Sequence, residues 1–141
     1  MKFRAELIKI NGKPNKNGRI YTEEALKNIE ENILNKNVVY YPFKGDYDIT
    51  EYTPSDIVGK IIDVKRENNT LSVIGEFIDN VSVNPIIEII KDLKCLYLSP
   101  NGYGCYSLRD NTTIEEYEYD YCSITKEPAF DVKPIELIEE L

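Results

Sequence analysis

Residues 57–78 have the sequence IVGKIIDVKRENNTLSVIGEFI. Two runs rich in β-branched residues, Ile57–Val64 and Leu71–Ile78, flank the polar segment Arg66–Thr70. Isoleucine, valine and phenylalanine suit strands, whereas asparagine accommodates a tight reversal between strands. The pattern predicts an antiparallel hairpin near the middle of the chain.

The N-terminal third of the chain predicts one strand and one helix. Lys2–Ile10 alternates in the way that a strand does. Thr22 can cap a helix in which Leu26, Ile29 and Ile33 recur at helical spacing. We expect this helix to pack against the hairpin through those three apolar residues.

The C-terminal half predicts more strands and up to two further helices. Asn84–Leu93 starts with a capping residue and a proline and is nearly all apolar, which indicates a buried helix. Short strands are expected on both sides of a turn at Ser99–Gly102. Glu115–Ser123 alternates strictly between acidic residues and tyrosines, so the tyrosines either pack on the core or form a partner surface. Pro134 can begin a short final helix.

These elements together predict a single α+β domain over residues 1–141. Strands outnumber helices, and the order is β, α, several β, α, several β and a final helix. We therefore expect an antiparallel sheet or β-barrel-like core with two to three helices. A chain of 141 residues with 42% hydrophobic and 30% charged residues can bury a core of its own.

Charge and composition argue against several classes of protein. The chain has 17 Lys and Arg against 25 Asp and Glu, and the net charge of −8 opposes binding to nucleic acid or anionic lipid. No apolar run approaches the roughly 20 residues that cross a bilayer, and early charges do not suit a signal peptide, so we expect an intracellular protein. Cys95, Cys105 and Cys122 lack metal-ligand spacing, and the chain has no histidine. Neither a metal nor another cofactor is expected.

Five short segments of the chain together resemble a known family. In order, they are Asn15–Tyr21, Val58–Ile61, Val73–Phe77, Leu98–Gly104 and Cys122–Phe130. Their sequence and order, between residues 5 and 131, resemble the prohead (capsid maturation) proteases of tailed phages, of the T-even type. The resemblance implies the barrel fold that this family shares with herpesvirus assemblin, and a serine protease site.

The resemblance also implies positions for the catalytic residues. The nucleophile falls on Ser99, the histidine base falls on Ile49, and the acidic third residue falls on Glu127 or Asp131. Isoleucine cannot accept a proton, and a serine hydroxyl is a poor nucleophile without a base. Because the chain contains no histidine, we expect Ser99 to be unreactive and its role to be structural.

The chain is therefore expected to be an inactive relative of the proteases. We expect a structural auxiliary protein of a phage head, made in the bacterial cytoplasm, retained in the virion and bound to the major capsid protein or another head protein. One alternative is an active maturation protease in which Lys60 or Lys126 replaces the histidine. A second alternative is a component of the head-assembly core. A homo-oligomer is compatible with each of these functions.

The tyrosine content predicts attachment to a protein. The chain has 11 tyrosines, and tyrosine is enriched at the centres of protein interfaces. A substrate groove that has lost its catalytic base is still a concave surface for a partner. We expect Tyr47 and Tyr52, in the loop that would carry the histidine, and Tyr103, near Ser99, to contact the partner.

Overall fold

The computed structural model describes residues 1–40 and 52–138, which form a mixed α+β fold with eight strands and two helices. The elements, in chain order, are β1 (Lys2–Lys9), β2 (Ile20–Tyr21), α1 (Glu23–Asn32), β3 (Asn37–Val39), β4 (Ile57–Glu67), β5 (Thr70–Phe77), α2 (Asn84–Leu93), β6 (Tyr97–Tyr106), β7 (Thr113–Thr125) and β8 (Glu136–Ile138).

The predicted central hairpin is confirmed. Strands β4 and β5 pair antiparallel from Gly59 opposite Phe77 to Glu67 opposite Thr70. Asn68, at the reversal, has a φ of 55°, a left-handed conformation that asparagine tolerates better than most residues. Strand β1 pairs antiparallel with the other edge of β5, so the predicted N-terminal strand extends the hairpin into a three-stranded unit.

All eight strands belong to one sheet. Its order is β2-β7-β3-β4-β5-β1-β8. Strands β2 and β3 pair with different parts of one edge of β7, and β6 pairs along the opposite edge. Most pairs are antiparallel, but the short strands β2 and β3 run parallel to β7.

The predicted closure of this sheet into a barrel is wrong for residues 1–40 and 52–138, since no strand ladder joins β6 to β8. The segments that lead into β8 and β6 nevertheless lie close together: the Ile135 N–H donates a hydrogen bond to the Leu96 carbonyl at 2.8 Å. Within the described part of the chain, this contact between the segments that precede β8 and β6 does not extend into a ladder.

Helix α1 begins where the sequence predicts. The Thr22 hydroxyl oxygen accepts a hydrogen bond from the Ala25 N–H at 3.1 Å, and the three apolar residues predicted to face the core are fully buried. The prediction that α1 packs on the hairpin holds only in part, because the helix lies mainly against β7 and contacts β4 of the hairpin at a few residues. Asn28 fixes this arrangement, since its side-chain oxygen accepts a hydrogen bond from the Tyr117 N–H of β7 at 3.0 Å.

Two predictions about the later helices are wrong. Helix α2 forms, but it buries Ile86 and Ile90 and leaves Leu93 67% exposed, because one face of the helix meets the rest of the protein. The segment after Pro134 forms strand β8, antiparallel to β1, instead of a helix. The open edge of β1 offers backbone hydrogen bonds, whereas a helix of so few residues is unstable in isolation.

The alternating segment forms β7, as predicted. Tyr117, Tyr119 and Tyr121 are 6%, 5% and 2% exposed, whereas the acidic residues that alternate with them are exposed. The structure therefore places these three tyrosines in the core of the chain and not on a surface open to a partner.

Candidate binding groove

A cavity of about 690 Å³ contains Ser99. Residues of β6 and β7, the loop before β2 and the segment that follows β7 line it. We call this cavity the Ser99 groove. Its volume lies in the range of small-molecule and peptide-segment sites, and its lining combines hydroxyl, amide, tyrosine and charged side chains.

Ser99 lies within strand β6, so the predicted turn at Ser99–Gly102 is wrong. It pairs with Ser123 of β7, with paired residues on both sides of it in the strand. Pro100 is compatible with this ladder because β6 pairs with β7 alone in the described sheet, and its other edge needs no N–H donor there. The strand therefore holds Ser99 more rigidly than a turn would.

The glycine of this segment has a packing role instead of a turn role. The ladder between β6 and β7 shifts register between Asn101 and Gly102. A Cβ atom on Gly102 would lie 2.1 Å from the Glu118 carbonyl oxygen, so glycine is required where the two strands approach most closely.

Asn101 links the two serines of the groove. Its side-chain nitrogen donates to the Ser123 hydroxyl oxygen at 2.9 Å and to the Ser99 carbonyl oxygen at 3.2 Å. Ser123 is 9% exposed, so this amide satisfies a hydroxyl that is nearly shielded from water. An amide does not accept a proton as a general base, so Asn101 orders the groove without activating Ser99.

The lysines considered as substitute bases lie outside the Ser99 groove. Lys60 is on β4 and lines a separate cavity of about 760 Å³ near Met1, and Lys126 is not among the groove's lining residues. Lys16 does line the groove, but its side chain is exposed. Lysines that serve as general bases are typically buried, and Lys16 is not.

The two candidates for the acidic third residue lie in different places. Glu127 lines the Ser99 groove, whereas Asp131 lines a neighbouring cavity of about 300 Å³. Both carboxylates are exposed. Of these two residues, Glu127 is the one that shares a cavity with Ser99.

The predicted partner-binding tyrosines are also separated. Tyr103 lines the Ser99 groove and is 66% exposed. Tyr52 is half-buried, with its ring edge-on to Tyr121 at 4.6 Å and its hydroxyl accepting a hydrogen bond from the Asn37 amide at 2.9 Å. It does not line the Ser99 groove. Tyr47 and Ile49 lie outside the described residues, so their positions relative to the groove stay predictions.

A cluster of aromatic residues around Arg19 was missed by the sequence analysis. The Arg19 guanidinium carbon lies 5.9 Å from the centre of the Tyr106 ring, and the Tyr21 hydroxyl interacts with Arg19 and Tyr117. Tyr21 also packs edge-on against Phe130 at 5.0 Å. Burial raises the pKa of Tyr21, and the Arg19 charge partly opposes that increase. These residues come from distant parts of the chain, so no local motif indicates the cluster.

In the part of the chain that the structure describes, no group of three or more Cys, Asp or Glu residues is placed to hold a metal ion. The helices of residues 1–40 and 52–138 are all too short or too polar to span a membrane. Comparison of the chain with protein-family models, curated proteins and solved structures finds no match.

Proposed function

We propose that the chain is a structural auxiliary protein of a phage head that binds the major capsid protein through the Ser99 groove without cleaving it. One observation carries this proposal: among the residues that the structure describes, those that line the groove with Ser99 include no histidine and no buried lysine to take its proton. The absence of histidine from the whole sequence agrees with this interpretation.

The chemistry of the groove supports a protein partner. Tyr103 and Tyr106 are 66% and 42% exposed and both line the groove, where large aromatic rings offer contact area at a small cost in side-chain entropy. The net charge of −8 opposes attachment to packaged DNA. Binding to a capsid protein is the function implied by the sequence resemblance, and the groove provides a surface for it.

The alternative functions make different demands on the same groove. An active protease would need a base beside Ser99. Lys16 is the lysine among the groove's described lining residues, so it is the lysine to test for that role. A head-assembly core component would use the groove in proheads but would be absent from mature particles. Both alternatives are distinguished from the proposed function by experiment.

Ser99 should not react with a fluorophosphonate probe. The described residues that line the groove include no histidine and no buried lysine, so the wild-type protein and Ser99→Ala should show the same negligible labelling by intact-protein mass spectrometry. The purified protein should also leave the capsid precursor uncleaved. Ile49→His alone should not create activity, because catalytic groups must be held to within about 0.5 Å of their working geometry by supporting contacts.

Labelling that Ser99→Ala abolishes, or precursor cleavage that depends on Ser99, would overturn the non-catalytic proposal. Lys16→Gln then identifies the base. Loss of labelling in that variant would establish a serine–lysine protease, whereas unchanged labelling would point to a base elsewhere in the chain.

A further inference from the structure

The cavity beside the Ser99 groove is basic, although the protein as a whole is acidic. Four cationic side chains line this cavity of about 300 Å³, together with the single carboxylate of Asp131, and they give it a local charge of +3. The cations are Lys9, Lys13, Lys16 and Arg19. The chain as a whole carries −8, so positive charge is concentrated at this position. We call this site the basic cavity.

The three lysines of the basic cavity are available to a ligand, whereas Arg19 also contacts the Tyr106 ring and the Tyr21 hydroxyl. In residues 1–40 and 52–138, the ion pairs join other residues, such as Arg4 with Glu136 and Lys65 with Glu67, and none involves the four cations of the basic cavity. Four like charges held close together repel one another. An anion that binds among them relieves this repulsion.

The loop that carries three of the four cations, Lys13, Lys16 and Arg19, is ordered by hydrogen bonds within it and to the segment after β7. The Asn15 side-chain oxygen accepts from the N–H groups of Asn17 at 3.0 Å and Arg19 at 3.1 Å. The Lys16 N–H donates to the Ala129 carbonyl at 3.0 Å, which ties the loop to the segment after β7. Because the backbone is already fixed, a ligand has to order the long side chains alone.

The basic cavity also has apolar walls. Ile10, Pro14 and Phe130 contribute hydrocarbon surface beside the cations. This mixture suits a ligand that carries carboxylates next to apolar side chains, as an acidic protein segment does. A nucleic-acid duplex fits poorly, because the cavity is too small for it and the acidic surface of the protein repels its phosphates.

We propose that the basic cavity binds an extended, acidic segment of a partner protein. Lys16, Arg19 and Tyr21 line both the basic cavity and the Ser99 groove, so one bound segment can continue from the first site into the second. This inference goes beyond the proposed capsid role and does not depend on it, because it concerns the ligand chemistry of the isolated protein.

Fluorescence anisotropy with two labelled peptides tests the proposal. The first peptide alternates aspartate with alanine and leucine, and the second has asparagine in place of each aspartate. The wild-type protein should bind the aspartate peptide, with an affinity that falls as salt rises, and should bind the asparagine peptide at least about tenfold more weakly. Lys13→Gln combined with Lys16→Gln should also reduce affinity for the aspartate peptide about tenfold.

A matched control separates the site from general charge. Lys36 and Lys91 are exposed and line neither cavity, and replacing both by glutamine brings the net charge to the same −10. This control should change the affinity by less than about twofold, as expected for screened surface charges distant from the site.

Three results would overturn the proposal. The first is no binding of the aspartate peptide by the wild-type protein, and the second is an equal loss of affinity in the two double variants. The third is a labelled single-stranded DNA that binds as tightly as the aspartate peptide at the same salt concentration. If the protein binds the aspartate peptide but is absent from phage heads, the capsid role is rejected and the proposal that the basic cavity binds an acidic segment stands. The two proposals can therefore be tested independently.

Discussion

The protein should lose stability steeply between pH 9 and pH 12. Four side chains that lose a proton in this pH range when exposed to water are buried in their neutral form: Tyr21, Tyr117, Tyr119 and Cys122. Burial raises the pKa of the Cys122 thiol from 9.0 to about 12. Burial likewise raises the pKa of each of the three tyrosines above its ordinary value of 10.0.

The direction of the effect follows from proton binding. In the unfolded chain the thiol and the three phenols lose their protons near their ordinary pKa values, whereas in the folded chain they keep them. The unfolded state then binds fewer protons, so the free energy of unfolding falls as pH rises. Each group that ionises only on unfolding contributes ~1.4 kcal/mol per pH unit. The three groups with the largest increases, Tyr117, Tyr119 and Cys122, together approach about 4 kcal/mol per pH unit once they ionise in the unfolded chain. This slope is a large fraction of the stability of a small domain.

Urea unfolding followed by circular dichroism at several pH values measures this slope. Tyr119→Phe is the matched variant, because it removes one ionisable group and should reduce the slope by ~1.4 kcal/mol per pH unit. Its cost at neutral pH should be small, since the buried Tyr119 hydroxyl has at most a weak interaction with the Cys122 thiol and no other hydrogen-bond partner among the described residues. A free energy of unfolding that stays constant from pH 9 to pH 11 would contradict the burial of these groups.

Gly75→Ala should destabilise the protein by about 3 kcal/mol or prevent folding. A Cβ atom on Gly75 would lie 2.1 Å from the Phe3 ring carbon Cζ. Phe3 is fully buried, and its ring lies 4.6 Å from that of Phe77, so it cannot move aside without disturbing the core shared by β1, β4 and β5. The expected effect is therefore at the upper end of the range for overpacked cores.

A double-mutant cycle identifies the clash as the cause. Phe3→Leu removes the ring, so Phe3→Leu combined with Gly75→Ala should be less destabilised than the sum of the two single variants. Denaturant midpoints of the four proteins provide the comparison. A Gly75→Ala protein within about 0.5 kcal/mol of the wild type would show that β1 does not pack on β5 as described.

The sequence predicted the elements whose signals are local. The central hairpin, the Thr22 cap and the alternation of β7 each depend on residues close together in the chain, and all three are present in the structure. The spacing of apolar residues and the capping residues of a helix are properties of a short segment, so they can be recognised without knowledge of the partner strands.

Predictions failed where long-range pairing overrode local preference. Ser99–Gly102 has the composition of a turn, but the backbone pairing with β7 keeps it in strand β6. The segment after Pro134 likewise became a strand because β1 offers an open edge. The position of α1 depends on a hydrogen bond between Asn28 and a strand 89 residues away, which no local pattern reveals.

The candidate site was predicted only in part. Ser99, Tyr103 and Glu127 lie in one groove, although the sequence placed them there through the family resemblance and not through local chemistry. The basic cavity, which includes Lys9 of β1, and the aromatic cluster, which includes Tyr106 of β6 and Tyr117 of β7, were not predicted. Both also combine the loop before β2 with the segment after β7. Those two segments meet only in the folded chain.

The copy number of the protein in purified mature phage heads tests the central proposal most directly. Quantitative mass spectrometry of the particles measures this protein against the major capsid protein and also shows whether either chain has been cut. A structural auxiliary protein should be present intact in mature heads, at a fixed ratio to the major capsid protein. Absence from mature heads, or presence in proheads alone, would contradict the proposed function.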